Sequence, residues 1–465
     1  MIITNGKIIT WGKSNTILEG HAVRIMDGLI TEVSPQRELL AHHSDEERLD
    51  ARGQLVMPGN VCAHTHFYGA YARGMAIPGT APQNFVEILQ SLWWPLDLAL
   101  DEAGVRYSVL VCLLDAIRHG TTTLIDHHAS PRFIDGSLDV IAEAVEQGGL
   151  RAVLCYEVTD RNGEGGAQAG IRENLRFIER VNSNYSGVSS RLAATFGLHA
   201  SLTLSDETLE ACRVASPAGI GFHIHVAEHE VDEEDSLRKS GMRVVQRLNR
   251  HGLLGPKSIA VHCVHVDEAE IDLLAETGTW VTHQPRSNMN NGVGLPQVEK
   301  MLKAGVRVGL GNDGFSNAMW EEWKTTYLVH KLWQRDPRRM NGMDVLKMAV
   351  SHNAALAEVF FPGAALGTIE AGARADLIFV DYHPYTPMTP DNLVWQILFG
   401  FHESMVTATI VAGQPLMLER RLVTLDEEEI SAKALEIAPA VWARYNQVMD
   451  DNPYTRNKMG ESKHG

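Results

Sequence analysis

Residues 60–66 read NVCAHTH, an apolar run of strand length that closes on two histidines at alternate positions, His64 and His66. Side chains two apart on a strand project to the same face, so both imidazoles point to one side of their sheet. Working outward, the pattern recurs in TTTLIDHH (121–128), RAVLCYE (151–157), LAATFGLHA (192–200), GFHIHVAE (221–228), SIAVHCVH (258–265), WVTHQP (280–285) and VRVGLGNDG (306–314). Longer amphipathic stretches lie between these runs, Ala103–His119 and Ser236–Arg250 among them, and are read as helices. Strands alternating with helices are the signature of βα repeats and a parallel sheet. Eight such repeats predict an α/β fold built on a closed (β/α)₈ barrel.

Nearly every run ends in His, Asp or Glu, and barrels of this kind build their active sites at the C-terminal strand ends. A purely structural strand has no reason to finish repeatedly in metal-binding side chains. His64 and His66 from the first run, His225 from the fifth and Asp313 from the eighth form a candidate ligand set. Three imidazoles and a carboxylate suit Zn²⁺, with Fe²⁺ as the alternative. His223, one pleat before His225, is a second reading of the fifth-run ligand. His225 is preferred because it leaves Glu228 three residues on, just past the strand end. A carboxyl there can take a proton from an activated water and pass it to a substrate, whereas the bland reading makes it one more solvated acid in EHEVDEED. His262 is the candidate to polarise the attacking water or a developing oxyanion, with Asp313 orienting that water, and His265 is read as structural. His127, His128, His199 and His283 also stand at run ends, as substrate contacts or as groups that hold the ligands. The segment Met75–Leu100, carrying Trp93 and Trp94, is expected either to cover the barrel mouth or to pack between helices.

The flanks have a different rhythm. Residues 1–58 and 363–430 hold short apolar runs broken by turn residues, with Asn5-Gly6 and Asp27-Gly28 as hairpin signals. Each is too small to bury its own apolar face, so a composite β domain made from both chain ends is expected beside a barrel at 59–362. Residues 431–465 are read as a C-terminal helix followed by a polar, frayed tail.

A net charge of -17 disfavours nucleic acid and anionic membrane partners. Five isolated cysteines with no CxxC pair suit a reducing compartment. The first residues, MIITNGKIITWGK, show no basic stretch leading into an apolar one, and no run reaches membrane-spanning length. A cytoplasmic homo-oligomer acting on a small molecule is expected.

Taken together, MPGNVCAHTH, HIHVAE, AVHCVH, HQPRSN, GLGNDG and the late GTIEAGARADLIFVD resemble the amidohydrolase superfamily, in its branch of cytosine, guanine and S-adenosylhomocysteine deaminases and triazine hydrolases. LIDHHASP, CYEVTDRNG, FGLHASLTLSDETL and RSNMNNGVG are similar to the SsnA-type aminohydrolases, associated with selenium metabolism and purine breakdown. The resemblance spans nearly the whole chain. It implies metal ligands His64, His66, His225 and Asp313, catalytic roles for Glu228 and His262, and hydrolytic deamination of an amino-substituted heterocycle. Cyclic amide hydrolysis, or expulsion of another leaving group, is the alternative. A noncatalytic metal-binding scaffold is disfavoured because it would have no need of Glu228. Two motifs depart from the usual form: Gln284 and Arg286 stand in a motif that commonly reads HNPxSN, and Asn312 replaces the Thr of GTDG. Neither touches a candidate ligand, but they leave the substrate open, with Arg286, His199 and Trp93 as candidate contacts. Binuclear members usually bridge two metals with a carboxylated lysine, yet no lysine occurs between Lys13 and Lys239, which implies a single ion.

Overall fold

A computed structural model describes residues 1–465 apart from 13, 14, 186, 189 and 452–465. The frayed tail expected at the C-terminus lies outside the described residues.

Eight strand positions form the central ring: β1 (Asn60–Thr65), β2 (Thr121–Asp126), β3 (Arg151–Leu154), β4 (Leu192–Ala194 continuing as Phe196–Ala200), β5 (Phe222–Val226), β6 (Ile259–His262), β7 (Trp280–His283) and β8 (Val308–Leu310). Each pairs in parallel with the next. The ring closes where Thr65 bridges Asp313 in parallel. That seam is made by the candidate site residues themselves: the Asn312 and Asp313 amides donate to the His64 carbonyl, and the His66 amide donates to the Asp313 carbonyl. Gly311 permits the approach, since a Cβ there would lie 2.6 Å from the His64 carbonyl oxygen.

The run LAATFGLHA is one strand in sequence but two in space. Asn174, fully buried on helix Gly163–Asn184, accepts from the amides of Tyr156 and Gly197 and donates to the Tyr156 carbonyl, replacing ladder bonds beside the break in β4. The expected helix Ser236–Arg250 is also divided, into Glu230–Ser240 and Val244–Arg250, because Gly241 takes a left-handed φ of 71° that ends the first piece. Inside the ring, Val61, Ile125, Val153, Ile259, Val261 and Trp280 form an apolar plug against Leu356 and Phe361. Asn353 completes this floor by bonding to Val61 and to both backbone groups of Leu310. With the bottom filled, only the opposite end of the ring is left to build a site.

The chain ends interleave. Strand Leu55–Pro58 pairs antiparallel with Leu377–Val380 and parallel with Lys7–Ile9 inside one seven-stranded sheet. Asp27-Gly28 turns a hairpin between His21–Met26 and Leu29–Pro35. Asn5-Gly6 does not: Ile2–Thr4 and Lys7–Ile9 enter different sheets. The reason is local, because Asn5 bonds to Asp50 and Gly6 lies against Val56, where a Cβ would come within 2.5 Å. Helix Glu427–Asp451 then crosses back to the barrel, where its Trp442 indole donates to the Tyr71 carbonyl and Arg444 pairs with Asp101.

Candidate metal centre

The ends of β5, β6 and β8 are bent in an unusual way. Ala227, His262, Cys263 and Asp313 all hold left-handed φ values of 45–69° without being glycine. Such conformations cost on the order of 1–3 kcal/mol each and persist where surrounding structure demands them. Here they turn His262, Glu228 and Asp313 inward over the ring.

Four imidazoles are held by one nitrogen and offer the other. The Nδ1 of His66 faces the His127 carbonyl at 2.5 Å, that of His225 the His199 carbonyl at 2.8 Å, and that of His262 the Asn288 Oδ1 at 2.8 Å. The Nδ1 of His64 is 3.0 Å from the Nε2 of His223. Each of the first three contacts is to an oxygen that only accepts, so Nδ1 carries the hydrogen and Nε2 presents a lone pair. His223 thus stands behind His64 as its support, while His225 turns its Nε2 to within 3.2 Å of the His66 Nε2. Asp313 Oδ1 lies 3.1 Å from the His66 Nε2 and 3.8 Å from the His64 Nε2, and Ser287 donates to Oδ2 at 2.6 Å.

This donor set fits a divalent cation. The Nε2 atoms of His64 and His262 are buried with no hydrogen-bond partner. Those of His66 and His225 face each other at a distance where two bare lone pairs would repel. Burial pushes His64 and His225 toward the neutral, ligating form. On His66 burial acts the same way, but the Asp313 carboxylate outweighs it and raises that imidazole to about 9. Burial likewise works against ionisation of Asp313, yet His66 and His262 hold it below the usual carboxylate range. The cluster therefore draws a cation to the point where the donors meet, a metal ion on the Nε2 lone pairs or else a proton on that of His66.

Glu228 stands beside this cluster, its Oε2 3.4 Å from the His262 Nε2 and its Oε1 accepting from Asn291. Burial raises its carboxyl to about 7 against the opposing pull of His262. Two cavities meet the cluster. The inner one, about 50 Å³, is bounded by Glu228, His199, Asp97, Phe85, Leu89 and Trp93. The outer one, about 450 Å³, also reaches His66 and Asp313 but contains Arg286 and Asp115 in its wall. Trp93 separates them, its ring lying over Gly69 and Gly314.

The remaining sequence candidates are placed as follows. Arg286 does not line the inner cavity: its guanidinium is held by Glu322, Glu321 and both the hydroxyl and the carbonyl of Ser316, so four of its five N–H donors tie the wall of the outer cavity together. His265 bonds to the Val293 carbonyl and His128 to Ser130. His283 is buried against His330. Sequence reading missed Ser287 and Asn288, although RSNMNN follows the seventh run directly, and it missed Glu157, buried 3.3 Å from the His127 Nδ1. It also missed Asp97, a lone acid in WWPLDLAL that pairs with Arg161 at 2.9 Å and leaves its Oδ1 buried without a partner.

The profile of the amidohydrolase family matches residues 55–416. A 5'-deoxyadenosine deaminase of Methanosarcina mazei is 33% identical over 455 residues, covering 96% of this chain and 99% of its own length. A 5-methylthioadenosine/S-adenosylhomocysteine deaminase of Acetivibrio thermocellus is 30% identical, covering 95% and 99%. Among solved structures, an adenosine deaminase from Xanthomonas campestris with bound zinc superposes with a TM-score of 0.82 at 24% identity, over 95% of this chain and 98% of that one, which establishes the shared fold.

Proposed function

Because the chain belongs to the amidohydrolase family, we propose that it is a metal-dependent aminohydrolase that replaces an amino group on an N-heterocycle by oxygen and releases ammonia. The observation that carries the reading is the placement of Glu228, a carboxyl near neutrality on the cavity side of a cluster of lone-pair donors. Relatives named as deaminases of adenine nucleosides support the choice of reaction and make such nucleosides the first substrates to test.

His64, His66, His225 and Asp313 would hold one divalent ion, with zinc favoured by the nitrogen-rich donor set and by the zinc in the Xanthomonas campestris enzyme. Such an ion supplies Lewis acidity that brings the pKa of water toward neutrality. His262, with its Nδ1 hydrogen given to Asn288, keeps Nε2 free to accept a hydrogen bond from the attacking water. Asp313 offers a second acceptor and fixes the direction of attack. Glu228 takes one proton of the water and passes it to the ring nitrogen next to the attacked carbon; the second, released as the new C–O bond becomes a carbonyl, goes to the amino nitrogen, which leaves as ammonia when its C–N bond breaks. Trp93 and His199 confine the ring. The barrel at 59–362 carries this chemistry, and residues 1–58 with 363–430 form the accompanying β domain. Five unpaired cysteines accord with a cytoplasmic setting, and no helix among the described residues is long and apolar enough to cross a membrane.

The test is metal analysis of the purified protein followed by an ammonia-release screen over adenine nucleosides, purine bases, pyrimidines and pterins. One ion per chain and ammonia from an aminopurine compound are expected. Ring opening without ammonia, or inertness of the metal-loaded protein toward every amino heterocycle, would overturn the reading.

A further inference from the structure

Helices Met319–Gln334, Gly342–Leu346 and Leu393–Gly400 pack side by side on the outside of the barrel. Their outer surface is apolar. Leu332 is 76% exposed, Phe399 69%, Leu328 57% and Met343 55%, and Trp395 is also exposed. Tyr327 links two of the helices, its ring 5.8 Å from both Trp395 and Phe399. Trp395 in turn lies against Gly342, where a Cβ would come within 2.7 Å, so Met343 adjoins the same cluster.

Of the charges beside this surface, Lys331 and Asp344 are committed to neighbours, while Lys347, one turn on from Met343, and Arg335, three residues beyond Leu332, stand exposed next to it. Helix Leu393–Gly400 reads LVWQILFG and has none. Lys331, beside Leu332, places its ammonium 4.1 Å over the Tyr327 ring and donates it to the carbonyls of Pro337, Arg339 and Met340. Asp344 accepts from Asn341, the cap residue just before its helix. Exposed aromatic and aliphatic side chains of these sizes present on the order of 600 Å² of apolar surface. A monomer's largest patch is typically about 300–600 Å², and a standard interface buries about 800 Å² per partner including its polar rim. This face therefore already supplies most of the area that one side of a stable dimer needs.

We propose that this three-helix face is a self-association surface whose occupant is the same face of a second copy of this chain. A two-fold interface requires a patch that is complementary to itself, and a face of exposed leucine, methionine and aromatic side chains meets that condition. Charge points the same way. Two chains of net charge -17 repel each other, and contact costs least where neither surface carries charge.

Sedimentation velocity on the full-length protein tests this directly. The wild type is expected at twice the mass of one chain or more, and Leu332→Glu/Phe399→Glu at half the wild-type mass or less, with an unchanged far-UV circular dichroism spectrum. A monomeric wild type, or a folded double variant of undiminished mass, overturns the proposal and leaves the face to a different partner. Should the double variant fail to fold, cross-linking decides. Leu332→Cys or Phe399→Cys treated with a bismaleimide should give a covalent pair that the wild type, with four buried cysteines and one half-buried, does not. No covalent pair from either variant overturns the proposal as well.

Discussion

At the scale of single residues, the site depends on which nitrogen or oxygen each side chain has left over. Glu228 accepts from Asn291 and keeps its other oxygen facing His262, an arrangement that Glu228→Gln reproduces in shape but not in proton transfer. This substitution should leave the bound metal in place and slow turnover by about 10²–10⁴, the usual contribution of a general acid-base group. Metal content and steady-state rates on the identified substrate check it together, and a variant with full metal and near-wild-type turnover would move the role to His262. Asp97 gives a prediction about stability. Burial raises its carboxyl to about 6 despite the attraction of Arg161, whereas an unfolded chain releases that proton near 3.8. The folded state thus binds the proton more tightly, and the stability this confers is complete below about pH 4 and lost as pH rises through about 6. The difference in unfolding free energy between wild type and Asp97→Asn should fall by on the order of 2–3 kcal/mol across that window. A flat difference would mean that the carboxyl titrates normally. The candidate ligand histidines, which the structure brings together, were readable from spacing at strand ends. The residues that fix their tautomers were not, because Asn288 and His223 act through contacts across 26 and 159 residues of chain.

Among the elements, the cover over the barrel mouth decides what reaches the centre. Phe85–Ile88, the wider turn Leu89–Trp93 and Trp94–Ala99 form one bent helical run above the cluster. It is held from outside by the Tyr445 hydroxyl on the Ser91 carbonyl and by Arg444 on the Ala99 carbonyl. The inner cavity, about 50 Å³, is far below the roughly 300 Å³ of a small-molecule site, whereas the outer one, about 450 Å³, also reaches His66 and Asp313, and Trp93 stands between the two. Trp93→Ala should merge the inner and outer cavities and raise KM on the order of 10-fold through lost apolar contact, with kcat reduced less. Steady-state kinetics on a small base and on its nucleoside check this, and an unchanged KM for both would exclude Trp93 from the binding wall. Most strand and helix positions followed from hydrophobic period and run length. The divided β4, the broken helix at Gly241 and the failed hairpin at Asn5-Gly6 did not, because a buried asparagine, a glycine conformation and a neighbouring sheet overrode the local pattern.

For the whole molecule, one ion pair joins the catalytic ring to the strands built from the chain ends. Arg151, at the start of β3, makes a two-pronged contact with Asp376 at 2.8 and 3.1 Å, and both side chains are almost fully buried. Asp376 also accepts from the Ala412 amide. Removing one member leaves a buried charge without its partner, so Asp376→Ala should cost about 3–5 kcal/mol in chemical denaturation. Arg151→Met with Asp376→Leu should cost less, since neither charge is then stranded. A single variant within 1 kcal/mol of wild type, roughly the worth of an exposed pair, would show that the contact holds nothing together. The sequence by itself determined the number of barrel strands, the end of the barrel where the candidate site lies and the candidate ligands there, since period, run length and side-chain type are local properties. Only the tertiary structure decided the supports of those ligands, the commitment of Arg286 to a wall, the two cavities on either side of Trp93 and the apolar outer face. Each of these depends on which residues distant in the chain become neighbours, and packing sets that, whereas spacing along the sequence does not.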